Sequence, residues 1–210
     1  MAAPLTSTSY AILGLLAVKP WTTYELAQQM DRALGQFWPR AESKLYEEPK
    51  KLVAHGLASA TSEMVGKRRR TVYRITAKGR RALAEWVPSA GVGPVVEFEQ
   101  LIKVFFAEHG TKADLLATLA AVRESSGELL GAHANVPQAY VAGKGPFPER
   151  LPWLLLVGQF LIDFHLMVEH WAEWATAIVD TWPDDLADAQ PDWTTLESQA
   201  AIAQAHTREH

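Results

Sequence analysis

A turn glycine, four consecutive cations and an alternating strand stand together at Gly66-Lys67-Arg68-Arg69-Arg70-Thr71-Val72-Tyr73-Arg74. Just upstream, Leu57 to Met64 also alternates, and a helical segment ending at His55-Gly56 precedes it. A helix followed by a β-hairpin with cations at its tip is the layout of a winged helix-turn-helix. A helix fits the major groove of duplex DNA, and a basic hairpin can reach the neighbouring phosphates. Adjacent cations on a short turn repel one another, so a polyanion partner explains the run better than a merely solvated tip.

The distribution of charge supports this more than its total. The chain of 210 residues carries a formal −4. Residues 1–87 hold 14 Lys and Arg against 7 Asp and Glu, a net +7, and residues 88–210 carry the compensating −11. That asymmetry is expected when only one module meets phosphate. The absence of cysteine excludes disulfides, cysteine nucleophiles and cysteine-ligated zinc. The N-terminus lacks the basic-then-apolar pattern of a secretory signal. The longest strongly apolar run, Leu151 to Ile162, is interrupted by Pro152, Gly158 and Gln159 and is short of the about 20 residues of a membrane span. A soluble cytoplasmic protein with no membrane partner is expected.

Pattern and breakers predict the elements in order. Leu5 to Val18 reads as a buried helix closed by Lys19-Pro20. Thr22 and Glu25 have capping-box spacing for a helix from Thr23 to about Ala33. Phe37, Trp38 and Pro39 connect it to a third helix placed at Glu42 to Ala54. Gly56 can end that helix, and the two strands come next, the second with Thr71, Tyr73 and Ile75 on one face. Thr76 caps a helix to about Trp86. The expected fold class is mainly α with a small β-hairpin wing: a winged helix-turn-helix at 1–87, a Pro/Gly-rich linker at 88–94 and a helical domain at 95–182. A polar, partly disordered tail at 183–210 completes it. Within the second domain, helices are expected from Val96 to His109, from Thr111 to about Leu130, and from Leu151 to Trp182. A loop is expected at 131–150 and a short helix near Thr195 to Ala205.

The residues Thr6-Ser7-Thr8-Ser9-Tyr10-Ala11-Ile12-Leu13-Gly14-Leu15-Leu16, Tyr24-Glu25-Leu26, Phe37-Trp38 and Leu45-Tyr46 resemble the PadR family of transcriptional regulators. So do His55-Gly56-Leu57 and Tyr73-Arg74-Ile75-Thr76-Ala77-Lys78-Gly79. The likeness covers residues 5–87, and the remainder resembles the helical, virulence-activator-type C-terminal domain of the same family. The resemblance implies a homodimer with exchanged C-terminal helices and repression relieved by a small molecule. One departure stands out: many members carry proline directly after the Leu-Tyr pair, whereas here Glu47-Glu48-Pro49 stands in that place. A mid-helix proline removes a backbone hydrogen bond and crowds the preceding turn, and the two carboxylates are expected to point away from DNA or to accept from a cytosine amino group.

Candidate DNA-binding residues are Arg40 and Ser43, placed where a helix N-terminus can meet phosphate. Lys44, Tyr46, Lys50 and Lys51 join them from the third helix, and Lys67, Arg68, Arg69 and Arg70 from the wing. Phosphate contacts would set register, and groove contacts from residues 43–50 would set sequence preference. In the second domain, Trp153, Phe160, Phe164, Trp171 and Trp174 are candidates for a dimer core, an effector pocket for a flat aromatic ligand, or both, with Phe147 just before them. The segment Asp163 to His170 holds His165, Glu169 and His170, but its spacing matches neither zinc-protease helix motif, and ordinary helix polarity is preferred to a metal.

No nucleophile elbow, phosphate-binding glycine loop or metal-ligand cluster appears, so neither an enzyme nor a cofactor is expected. The resulting reading is a homodimeric, ligand-responsive repressor of a pseudo-palindromic duplex operator. The rival is a winged helix used as a protein-interaction adaptor.

Overall fold

The computed structural model describes residues 4–65 and 68–208. The chain folds as two compact units, Met1–Pro94 and Val95–His210.

The first unit runs α1 (Ser7–Val18), β1 (Trp21–Thr22), α2 (Thr23–Leu34), α3 (Glu42–Ala54), β2 (Ala58–Val65), β3 (Arg68–Ile75) and α4 (Ala77–Trp86). β3 is the central strand, antiparallel to both β1 and β2. β1, two residues long, has no alternation to announce it; it forms because Trp21 and Thr22 pair with Tyr73 and Val72. α1 packs against α2, α3, α4 and β3, and its Ile12, Leu13 and Leu16 belong to a core that includes Leu26, Met30, Leu52, Val72 and Tyr73. Burying each large aliphatic side chain contributes about 1.5–3 kcal/mol.

Local chemistry fixes the ends of these helices. Thr22 and Glu25 form the expected capping box: Glu25 Oε2 accepts from the Thr22 N–H at 2.7 Å, and Thr22 Oγ1 accepts from the Glu25 N–H at 3.2 Å. The hydrogen bond from the Thr22 backbone holds the Glu25 carboxyl below its usual range. Gly56 lies just past the end of α3 with φ 70°, a left-handed conformation that favours glycine, and the Leu57 N–H reaches back to the Leu52 carbonyl at 2.9 Å.

The second unit holds α5 (Glu99–Phe105), a 3-10 turn at Ala107–His109, α6 (Lys112–Val141), α7 (Leu151–Asp180) and α8 (Trp193–Arg208). α6 and α7 form an antiparallel hairpin: Lys112 Nζ donates to the carbonyls of Asp180 and Trp182, Arg123 pairs with Glu173, and His133 meets His165. Leu115, Leu119, Ala175, Val179 and Leu186 make one buried cluster, and Val122, Val168 and Ala172 another.

Three expectations for the second unit differ from the structure. The loop placed at 131–150 is helical as far as Val141, with Pro137 inside α6. The true breakers are Gly143, at φ 69°, together with Gly145, Pro146 and Pro148, and the Ala-containing turns before them propagate the helix. Beyond 183, Leu186 joins the core cluster, and the helix expected near Thr195 to Ala205 is present but longer, as the sixteen-residue α8. Finally, residues 148–180 form continuous helix that is long and apolar enough, by length and composition, to cross a membrane. Pro152 does not interrupt it because a proline in the first turn of a helix removes no intrahelical bond.

Candidate nucleic-acid interface

α2 and α3 are joined through Phe37, Trp38 and Pro39, and this connector is tied to the first turn of α1. Trp38 Nε1 donates to Thr8 Oγ1 at 3.1 Å, and Arg40 Nε donates to the same oxygen at 3.4 Å. The Arg40 guanidinium lies over the Trp38 ring at 4.0 Å, an arrangement that favours a cation held on an indole face. Arg40 is thus exposed but oriented. It shares an open cleft of about 590 Å³ with Thr6, Ser7, Thr8, Ser43 and Lys44.

α3 begins at Ala41 without a side-chain cap, and the Lys44 N–H donates to the Ala41 carbonyl at 3.0 Å. Ser43 and Lys44 are exposed on that first turn, and Tyr46 is half-buried. Lys50 is exposed and pairs with Glu47 at 2.8 Å, which raises the Lys50 pKa. Lys51 does not lie on the outer face as expected. It is largely buried and pairs with Glu48 at 3.3 Å, because the inward stripe of Leu45, Pro49 and Leu52 turns the neighbouring positions toward the core. Glu48 also turns inward, where Oε2 accepts from Ser9 Oγ at 2.5 Å. Glu48 is therefore held by Ser9 and Lys51 within the cleft that Arg40, Ser43 and Lys44 also line, and Glu47, lining the same cleft, pairs with the exposed Lys50.

On the wing, Gly66 and Lys67 lie outside the described residues. Arg70 lies on the return strand on the side of Val72 and Arg74, and Arg68 and Arg69, expected at the hairpin tip, also belong to β3, the three standing opposite Glu63, Val65 and Met64 respectively. The hairpin ladder extends through them because β2 and β3 pair over eight residues each. Strand alternation then sends Arg69 and Arg70 to opposite faces. Arg69 Nε donates to Ser62 Oγ, while Arg70 and Arg74 both approach Glu63, at 3.8 and 3.0 Å. All of these are exposed or half-exposed pairs, worth little individually and open to exchange for phosphate.

Residues 12–85 match the family model described as the transcriptional regulator PadR-like family. Through these residues the first unit is similar to the PadR-like family. Its sequence is 31% identical over 99 residues to the negative transcriptional regulator PadR of Bacillus subtilis, covering 46% of this chain and 54% of that protein. The chain thus spans about half the length of that curated relative. The fold is shared more widely. The B. subtilis PadR structure with operator DNA superposes with TM-score 0.71 at 22% identity over 83% of this chain and 99% of that one. The same protein with p-coumaric acid gives 0.65 at 21% over 83% and 99%. The Vibrio cholerae virulence activator AphA gives 0.60 at 24% over 82% and 97%.

The aromatic candidates of the second unit differ in exposure. Trp153, Phe160 and Trp174 are exposed, at 62%, 57% and 45% of their surface. Phe164 and Trp171 are half-buried within the protomer, packed on the Val122, Val168 and Ala172 cluster, with Trp171 edge-on to Phe98 and Phe164 stacked on Phe160. Phe147 adopts φ 55°, a strained value for a bulky residue. His165 is buried between α6 and α7, where its Nε2 has no hydrogen-bond partner, and burial with His133 alongside lowers its pKa. Among the described residues no group of three or more His, Asp or Glu side chains could hold a metal.

Reading the sequence missed Thr8 and Ser9, the two buried hydroxyls that tie α1 to Arg40 and to α3. The one signal was the Thr6-x-x-Ser9 spacing, which does form a capping box, but nothing in the sequence indicated its partners on α3.

Proposed function

We propose that the chain is a homodimeric DNA-binding transcriptional repressor whose operator affinity falls when a small aromatic ligand binds. The observation that carries this reading is the exposed polar and basic set on one PadR-like domain: Arg40 just before α3, Ser43 and Lys44 in its first turn, and Arg69 and Arg70 on the wing. In this reading α3 enters the major groove, Arg40 meets a phosphate beside its N-terminus, and the wing holds flanking backbone. Domain boundaries near 87 and 94 let the basic module act on DNA while the acidic remainder faces other copies of the chain.

Dimer formation is inferred from the uncovered apolar strip of α7, where Trp153, Leu155, Leu156 and Phe160 are all more than half exposed. A strip of that kind is an association site rather than a solvated surface, and a soluble cytoplasmic dimer is the reading adopted for it over a membrane span. The B. subtilis relative solved with operator DNA and with p-coumaric acid supports both the duplex partner and a flat aromatic effector. Two-fold symmetry then calls for a pseudo-palindromic operator, with half-sites about one helical turn apart. An effector can shift operator binding only by its differential affinity for the two states.

The test is a fluorescence-anisotropy titration of the full chain against duplex DNA from its own upstream region and against random duplex, at two salt concentrations. Tight, salt-sensitive binding to the upstream DNA over the random control is expected. Equal weak binding to both would overturn the reading and favour an interaction adaptor.

A further inference from the structure

Ser9 and Glu48 are thirty-nine residues apart, yet a side-chain hydrogen bond between them joins α1 to α3. Ser9 is fully buried and its hydroxyl has two duties. Its oxygen accepts from the Thr6 N–H at 2.9 Å as part of the α1 capping box, and its single proton goes to Glu48 Oε2 at 2.5 Å. The other Glu48 oxygen meets the largely buried Lys51 ammonium at 3.3 Å. A continuous chain therefore runs from the α1 N-cap through Ser9 and Glu48 to Lys51. Charge-assisted bonds of this kind are the stronger class, and their loss leaves a buried charge without compensation.

The placement of this chain along α3 matters as much as its strength. Glu48 is followed by Pro49, which has no N–H to give to the Leu45 carbonyl. The backbone ladder of α3 thus lacks a bond where the helix leaves its exposed first turn and enters the core. The Ser9–Glu48 link braces α3 against α1 at that level. Glu48 lies one turn after Lys44 and three residues before Lys51, so fixing its side chain fixes the rotation of α3 about its own axis. That rotation decides which way Ser43 and Lys44 point.

We propose that Glu48 is a positioning residue for DNA reading: held by Ser9, it sets the rotation of α3 so that Ser43 and Lys44 face the groove, without itself touching DNA. This rests on the DNA-binding reading above. It differs from a direct contact of Glu48 with a base, which would leave Ser9 without influence on sequence preference.

The experiment uses the full chain and the variants Ser9→Ala, Glu48→Ala, Glu48→Gln and Ser9→Ala/Glu48→Ala. Affinity for the upstream duplex is divided by affinity for random duplex, and amide hydrogen exchange is followed in the absence of DNA. Ser9→Ala and Glu48→Ala are each expected to lower the ratio about tenfold, the scale of one charge-assisted hydrogen bond, with random-duplex affinity held within about twofold. Glu48→Gln, which keeps an acceptor for Ser9, retains more of the ratio than Glu48→Ala. The double variant is no worse than the single ones, as for two ends of one link. Exchange accelerates in α3 while β2 and β3 stay protected.

A ratio unchanged in Ser9→Ala, with only the melting temperature lowered, would overturn the proposal in favour of a purely structural link. Unchanged α3 exchange would overturn it as well. If the native chain does not discriminate between duplexes, the DNA-binding reading fails, and the exchange measurement still decides whether Ser9 and Glu48 hold α3.

Discussion

The carbonyl oxygen of Leu57 occupies the place where a β-carbon on Gly79 would stand, only 2.1 Å from it. That carbonyl also accepts from the Thr76 N–H, so the start of β2 is clamped to the start of α4. Gly79→Ala must push backbone from backbone. The expected cost is about 1–3 kcal/mol, the scale of overpacking a closed site, read as a lowered midpoint in thermal or urea unfolding. A melting curve equal to the native one would contradict this account.

The wing arginines are expected to act on affinity rather than preference. Removing Arg69 and Arg70 together should weaken upstream and random duplex alike and reduce the salt slope by about 0.9 for each phosphate no longer neutralised. Lys44→Ala should instead change the ratio between sequences. A wing variant that altered preference with an unchanged salt slope would assign base reading to the hairpin.

Acid should destabilise the second unit through His165. Its folded pKa lies below the unfolded value of about 6.5. The unfolded chain therefore binds the proton more readily, and stability rises with pH across this window. The His165 contribution is fully present above the unfolded pKa and is lost as pH falls toward the folded one. His165→Leu should flatten the fall in unfolding midpoint as pH drops below the unfolded pKa; an equally steep profile in the variant would place the dependence elsewhere.

Charge on the α7 strip should prevent association. Phe160→Glu is expected to yield monomers in sedimentation at concentrations where the native chain is dimeric, with its helical circular dichroism retained. An unchanged sedimentation coefficient would place the dimer seam away from Phe160.

Much of the winged helix was legible because its signals are local. The bounds of α3 agree with those read from Pro39 on one side and Gly56 on the other, and the Thr22 and Thr111 caps stand where their spacing places them. Longer-range facts were not legible. β1 exists only through its partner strand, and Lys51 looks like any surface lysine until Leu45, Pro49 and Leu52 choose the inward face. Charge suggests a turn for the arginine run, yet an exposed stretch of strand accommodates it equally well. Phe164 and Trp171 could not be separated from Phe160 and Trp174 by composition, since only the register of α6 against α7 does so.

Pro49 gives α3 an unequal stiffness along its length. Leu52 sits in a closed core, whereas the turn bearing Ser43 and Lys44 lacks one backbone tether to the rest of the helix. A missing backbone bond forgoes about 0.5–1.5 kcal/mol of net stabilisation at that turn. On the DNA-binding reading proposed above, the tip of α3 would comply with small differences in groove width while its root stays anchored, so that tolerance for imperfect half-sites would be a mechanical property of the helix.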